Sequence, residues 1–325
     1  MNLRITYIVF LGILLVFAAC RQNNPVTLQD EIARDEPVEV LFLKEQPDTS
    51  SSSSVKDQTE TTVDLTGLLR RDEQNYPGTI LIGGVKSDLE GGRSSLSYSR
   101  ILLRDLQDTV WAKGGWGYFS DYRLIDVGRA TLDDVEFDAT EIVTQLRTPN
   151  FVVALSVGFI QKLGNDGNQP ASPMLYVPRH TYFISARGKR YGKNSEHELK
   201  SFQLPVLSPD EVTITSLQAN SIVFRDEDLI LRWRGVPGQR MKVIISTYDE
   251  QHGRAGTPLV QFTAYPKHEA LTISSKLLKL IPTPNGGKVL LSLVSVNQAE
   301  IALQGYPDKV LLQAASIHNM VVALR

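Results

Sequence analysis

From Gly78 onward, apolar and polar residues alternate with a period of two in one short run after another, the pattern of strands that bury a single face. In the first half the runs are GTILIGGV (78–85), SLSYSRILLRD (95–105), WGYFSDYRLI (116–125), NFVVALSVGFIQ (150–161) and MLYVPRHTYFISARG (174–188). Pro178 falls inside the last of these, and its missing N–H restricts that strand to an edge or a bulge. Between the last two runs, KLGNDGNQPASP is dense in turn formers and reads as a long hairpin loop.

A boundary is expected at FQLPVLSPDE (202–211), where two prolines flank an apolar pair. Beyond it come VTITSL, DLILRWRG, MKVIISTYD, PLVQFTAYP, ALTISS, KVLLSLVSVNQ and KVLLQAASIHNMVVAL, seven short strands at the spacing of a β-sandwich. SSKLLKLI (274–281) is the clearest helix, with a serine cap ahead of its apolar face. The fold class predicted is mainly β: a disordered tether followed by two β-sandwich domains, a β-rich domain over 73–206 and a second over 207–325.

In ITSLQANSIVFRDEDLILRWRG (214–235) an opening strand, a turn and an acidic residue precede an alternating strand that carries a tryptophan. This stretch resembles the immunoglobulin-like modules of bacterial surface proteins, which implies an Ig-like sandwich for the second domain. Within that strand Leu229, Leu231 and Trp233 share one side and Ile230, Arg232 and Arg234 the other, which assigns Trp233 to the core. Antibody-type modules pin a tryptophan against an inter-sheet disulfide; here Cys20 is the only cysteine, and no such bridge can form.

The amino terminus follows a different pattern. Arg4 precedes an apolar run of 13 residues, Ile5 to Phe17, then Ala18, Ala19 and Cys20. That is the layout of a secretory signal, too short to span a bilayer, which takes ~20 apolar residues. Ending at a cysteine, Phe17-Ala18-Ala19-Cys20 resembles the lipobox of bacterial lipoprotein precursors, with Phe17 where leucine is usual. The resemblance implies removal of residues 1–19, lipidation of Cys20 with diacylglycerol and palmitate-type chains, and a cell-envelope location. Arg21 is not the aspartate tied to inner-membrane retention, which points to the outer membrane. Two or three acyl chains anchor a protein stably where one does not.

Residues 20–72 read as a flexible tether. Arg21 to Glu60 holds nine acidic residues against four basic ones, three prolines and the run Ser50 to Ser54, too little apolar surface to offset ordering. The exception is PVEVLFL (37–43), a strand added either to the folded body or, by β-addition, to a partner.

A net charge of −2 gives no electrostatic reason to expect nucleic acid. Catalytic and metal-binding motifs fail on inspection. Ser156 in ALSVG lacks the elbow glycine and reads as a buried strand serine. HELKS (197–201) lacks the second histidine of a zinc helix, and His180, His252, His268 and His318 are scattered. NDGN (165–168) and DDVE (133–136) read as turns, so Asp121, Asp133, Asp134 and Glu136 form no recognisable carboxylate pair. RGKRYGKN (187–194) is a hairpin tip or a patch for anionic glycan or lipid headgroups.

The densest aromatic stretch, VWAKGGWGYFSDYR (110–123), offers Trp111, Trp116, Tyr118 and Tyr122 either as core or as a ligand or partner platform. No enzyme, cofactor or metal is expected. Two functions follow: a lipid-anchored, non-catalytic protein that binds or scaffolds an envelope or surface protein, or an envelope glycan-binding protein or glycan hydrolase with a dispersed site.

Overall fold

The computed structural model describes residues 38–42, 76–114, 117–147, 152–164, 174–235, 240–250, 254–265, 268–282 and 287–325. The leader, Cys20 and the tether, apart from 38–42, lie outside the described residues, as do NDGN and Trp116. The described fold is mainly β, with twenty strands and one short helix.

One large sheet runs through both halves. Its order is β1 (Val38–Phe42), β17 (Arg254–Ala264), β16 (Met241–Asp249), β19 (Lys288–Ala302), β20 (Lys309–Leu324), β2 (Gly78–Leu89), β3 (Gly92–Gly114), β8 (Val152–Gly164) and β7 (Asp138–Arg147). β4 (Gly117–Leu124) returns along the far end of β3, and β14 (Ile222–Val223) pairs in parallel with the end of β20. Two smaller sheets pack on it. One, with order β12-β9-β5-β6, is built from Phe202–Leu207, Thr181–Ala186, Ala130–Leu132 and Val135–Glu136. The other has order β13-β15-β18, from Thr213–Ile214, Leu229–Arg234 and Ala270–Ile273.

In the second half the short sheet takes β13, β15 and β18, and the large sheet takes β16, β17, β19 and β20. That is the partition of an Ig-like sandwich, with A, B and E facing C, F and G plus a C′ strand. Alternation along β15 is as expected: Leu229, Leu231 and Trp233 are buried and Ile230, Arg232 and Arg234 exposed. The tryptophan therefore sits on the second strand, whereas antibody domains carry it on the third. Helix α1 (Ser275–Leu280) joins the E and F strands; Ser274 caps it by accepting from the Leu277 N–H, and Leu277 and Leu278 enter the core.

β20 matches its predicted run in full, and β19 continues past its run to Ala302. β19 and β20 have 15 and 16 residues and extend roughly 50 Å, so one hairpin serves two cores. On one face of β20, Val310, Leu312 and Ala314 join the core over the four-stranded sheet, with Ile80, Ile82, Ile101, Leu103 and Ile184. Farther along that face Met320, Val322 and Leu324 join the core under the three-stranded sheet, with Val243, Phe262, Leu231 and Trp233. The intervening positions are polar: Ser316 accepts from the Val212 N–H and His318 Nδ1 from the Ile214 N–H, both at 3.3 Å. These two bonds hold the chain where it crosses from one core to the other. The opposite face of the sheet buries a third cluster that mixes both halves, Leu81, Val85, Tyr98, Ile244, Val294 and Ile317 among them.

PVEVLFL resolves in favour of the body. Val38–Phe42 pairs antiparallel with β17, placing Val40 opposite Phe262, and Val40 is fully buried.

Other expectations are corrected. The 174–188 run is a strand only over Thr181–Ala186, because Pro178 and Arg179, the latter at φ 57°, form a turn ahead of it. Ser156 is exposed rather than buried. A bulge sets Ile142 opposite Gly158 and Val143 opposite Ser156, so the extra residue Val157 reverses the alternation. DDVE is the expected turn, with Asp133 and Asp134 at φ 45° and 69° closing a two-residue hairpin.

Candidate functional site

The four-stranded sheet buries one face and leaves the other open. On the open face, strand pairing sets Thr131 beside Ser185 and Ser185 beside Gln203. One pleat farther along lie Arg129, Arg187 and Ser201, with the Arg187 N–H bonded to the Arg129 carbonyl at 3.0 Å. These six residues line a groove of about 450 Å³. Thr131 and Ser185 hydroxyls share a 2.7 Å hydrogen bond, and Arg129 pairs with Glu136 at 3.0 Å. Arg187 is exposed.

In the other direction the same face turns apolar. Pro205 stands opposite Phe183, and Phe183 and Leu207 are 46% and 54% exposed. Asp133 pins this end: its Oδ1 accepts from the Phe183 N–H at 2.8 Å and its Oδ2 lies 2.9 Å from His180 Nε2. The surface therefore offers two guanidinium groups, hydroxyls and an amide next to a hydrophobic strip, an arrangement suited to holding a ligand with both anionic or hydroxyl groups and an apolar face.

RGKRYGKN is divided by the fold. Arg187 belongs to the groove, whereas Lys189 pairs with Asp126 at 2.6 Å and β10 (Arg190–Tyr191) forms a hairpin with β11 (His197–Glu198). HELKS is thus no helix: His197 and Glu198 are in β11, and Leu199 to Ser201 connect it to β12. Among the described residues no group of three or more metal-ligating side chains comes together.

Of the aromatic candidates, Trp111, Tyr118 and Tyr122 lie on the β3–β4 hairpin. Its register sets Trp111 opposite Ser120, Lys113 opposite Tyr118 and Thr109 opposite Tyr122, and Tyr122 is 43% exposed. The side chains of Trp111 and Tyr118, like all of Trp116, lie outside the described residues.

Sequence reasoning missed the open face because each strand shows only its ordinary outward positions. Thr131, Ser185 and Gln203 are spread over more than seventy residues, and only strand pairing makes them neighbours. No protein-family model, no curated protein and no solved structure matches this chain.

Proposed function

We propose that this protein is a lipid-anchored component of the bacterial cell envelope with a non-catalytic binding or scaffolding role, and that it presents the open face of the four-stranded sheet to its partner. The observation that carries this reading is the exposed Phe183–Pro205–Leu207 strip beside the Arg129–Arg187 groove, on a sheet whose other face is sealed in a core. Val38 follows Cys20 by 18 positions and begins the edge strand of the Ig-like sandwich. An acylated Cys20 would therefore keep that edge within about 60 Å of the bilayer, the reach of a fully extended chain of this length. Among the described residues no helix is long and apolar enough to cross a membrane, and lipid on Cys20 would supply the attachment.

A second reading, recognition of an acidic glycan, is favoured by the two arginines set among three hydroxyls and an amide. Two measurements test these proposals. Metabolic labelling with an alkynyl palmitate should mark the wild type and leave Cys20→Ala unmarked; equal labelling removes the anchor. Titration with oligogalacturonate should raise the melting temperature of the wild type and not that of Arg187→Glu, while co-purification of an envelope protein that is lost in Phe183→Ser supports the first reading. Indifference of both readouts to both variants rejects this face as the binding surface.

A further inference from the structure

A second pocket, of about 270 Å³, lies where the bulge in β3, the β10–β11 hairpin and the β19–β20 loop meet. It is separate from the groove on the small sheet and does not depend on the lipid anchor. Its walls include Asp105, Gln107, Tyr191, His197 and Tyr306. Asp105 is 5% exposed; its Oδ1 accepts from the Gln107 N–H at 3.0 Å, and its Oδ2 is buried without a hydrogen-bond partner. The nearest cation by register, Arg123 opposite Asp105, is engaged elsewhere, with Nε 2.6 Å from Asp108 Oδ2.

The rest of the pocket is short of donors. Tyr191 donates to the Gly305 carbonyl at 2.8 Å and Tyr306 to the Arg104 carbonyl at 2.9 Å, so each phenol oxygen can only accept from a further group. The Tyr191 and His197 rings lie 5.3 Å apart. Burial, then the charges of Asp105 and Asp308, raise the Tyr191 hydroxyl above its ordinary range; burial and then Asp308 do the same to Tyr306. Arg104 acts in the opposite direction on Tyr306 and offsets part of this.

A buried carboxylate oxygen without a partner is costly unless something else neutralises it. We infer that this pocket binds a single guanidinium or alkylammonium group, which would donate to Asp105 and lie against the Tyr191 and Tyr306 rings. The volume suits one basic side chain or a small amine and falls below that of drug-sized sites. Because Oδ2 is closed to solvent, entry requires movement of the wall. Gln107, exposed and inside the stretch where the β3–β4 register shifts, is placed to make that movement.

The test titrates the full-length protein in detergent with n-butylguanidinium and n-butylammonium at constant ionic strength and follows thermal unfolding. One or both probes should raise the wild-type melting temperature saturably, by on the order of a few degrees. Asp105→Asn keeps the Oδ1 acceptor and removes the charge; it should melt no lower than wild type without the probe and show no probe-dependent rise. Gln107→Trp fills the pocket, leaves the backbone bond to Asp105 in place, and should block the rise by a second route. A glycine peptide carrying one arginine that binds more tightly than n-butylguanidinium assigns the natural group to a partner protein; equal or weaker binding assigns it to a small cation. Absence of a saturable rise, or the same rise in both variants as in wild type, overturns the inference.

Discussion

His318 on β20 lies between two charged or polar partners: its Nδ1 accepts from the Ile214 N–H at 3.3 Å while its Nε2 lies 3.5 Å from Asp88 Oδ2 on the neighbouring strand. Asp88 is itself paired with Arg93 at 3.1 Å. Accepting through Nδ1 requires the neutral ring, and burial, aided by the charges of Lys86 and Arg93, lowers the histidine's affinity for a proton more than Asp88 raises it.

The pH dependence follows from that direction. With the folded-state value below the unfolded value of about 6.5, the unfolded chain takes up the proton more readily. Stability is then fully present above about pH 6.5 and is lost as pH falls towards the folded value. Urea melts at pH 7.5 and 5.5 should show a loss in wild type that His318→Asn, which cannot titrate there, does not share. Equal losses would exclude His318 as the cause.

The shared hairpin predicts coupling between the two cores. Truncation after Ser316 removes Met320, Val322 and Leu324 from the core under the three-stranded sheet, and it also removes the partners of Val85 to Asp88 on β2. Hydrogen exchange should therefore show lost protection both in β16 and in β2. Protection retained in β2 alone would mean that the sandwiches fold separately.

Val40 fixes the edge strand to the body. Val40→Ala removes the two γ-methyl groups of a fully buried side chain and should cost about 1–3 kcal/mol in urea denaturation. Val40→Asp should release β1, which limited proteolysis after Phe42 would detect.

Gly305 sits at φ 86° in the β19–β20 loop, where a Cβ would overlap the Glu198 carbonyl oxygen. Its own carbonyl accepts from Tyr191, and the neighbouring Gln304 carbonyl accepts from the Lys200 N–H at 2.9 Å. Gly305→Ala should cost at least about 2 kcal/mol, from the left-handed backbone and the overlap together, and should loosen the β10–β11 hairpin in hydrogen exchange.

Much of the fold is legible in the sequence because a half-buried strand writes its two faces as alternation. MKVIISTYD and KVLLQAASIHNMVVAL coincide with β16 and β20, LILRWR shows its inner and outer sides residue by residue, and Ser274 marks the start of the one helix among the described residues. Where alternation failed as a guide, a local geometry had intervened: the bulge at Val157 turned Ser156 outward, and Pro178 with Arg179 kept half of an apolar run out of the sheet.

Partnership between distant segments was decided only in three dimensions. Nothing in KVLLQAASIHNMVVAL says that its first apolar positions belong to one core and its last to another; that depends on which sheets lie over it, and Ser316 and His318 read as ordinary polar interruptions until Val212 and Ile214 are seen bonded to them. The Arg129–Arg187 groove and the Asp105 pocket are likewise products of pairing between remote strands and loops. Alternation records which side of a strand meets water or core, a local property of the chain, whereas a site is a coincidence of side chains that only the closed sheet brings within reach.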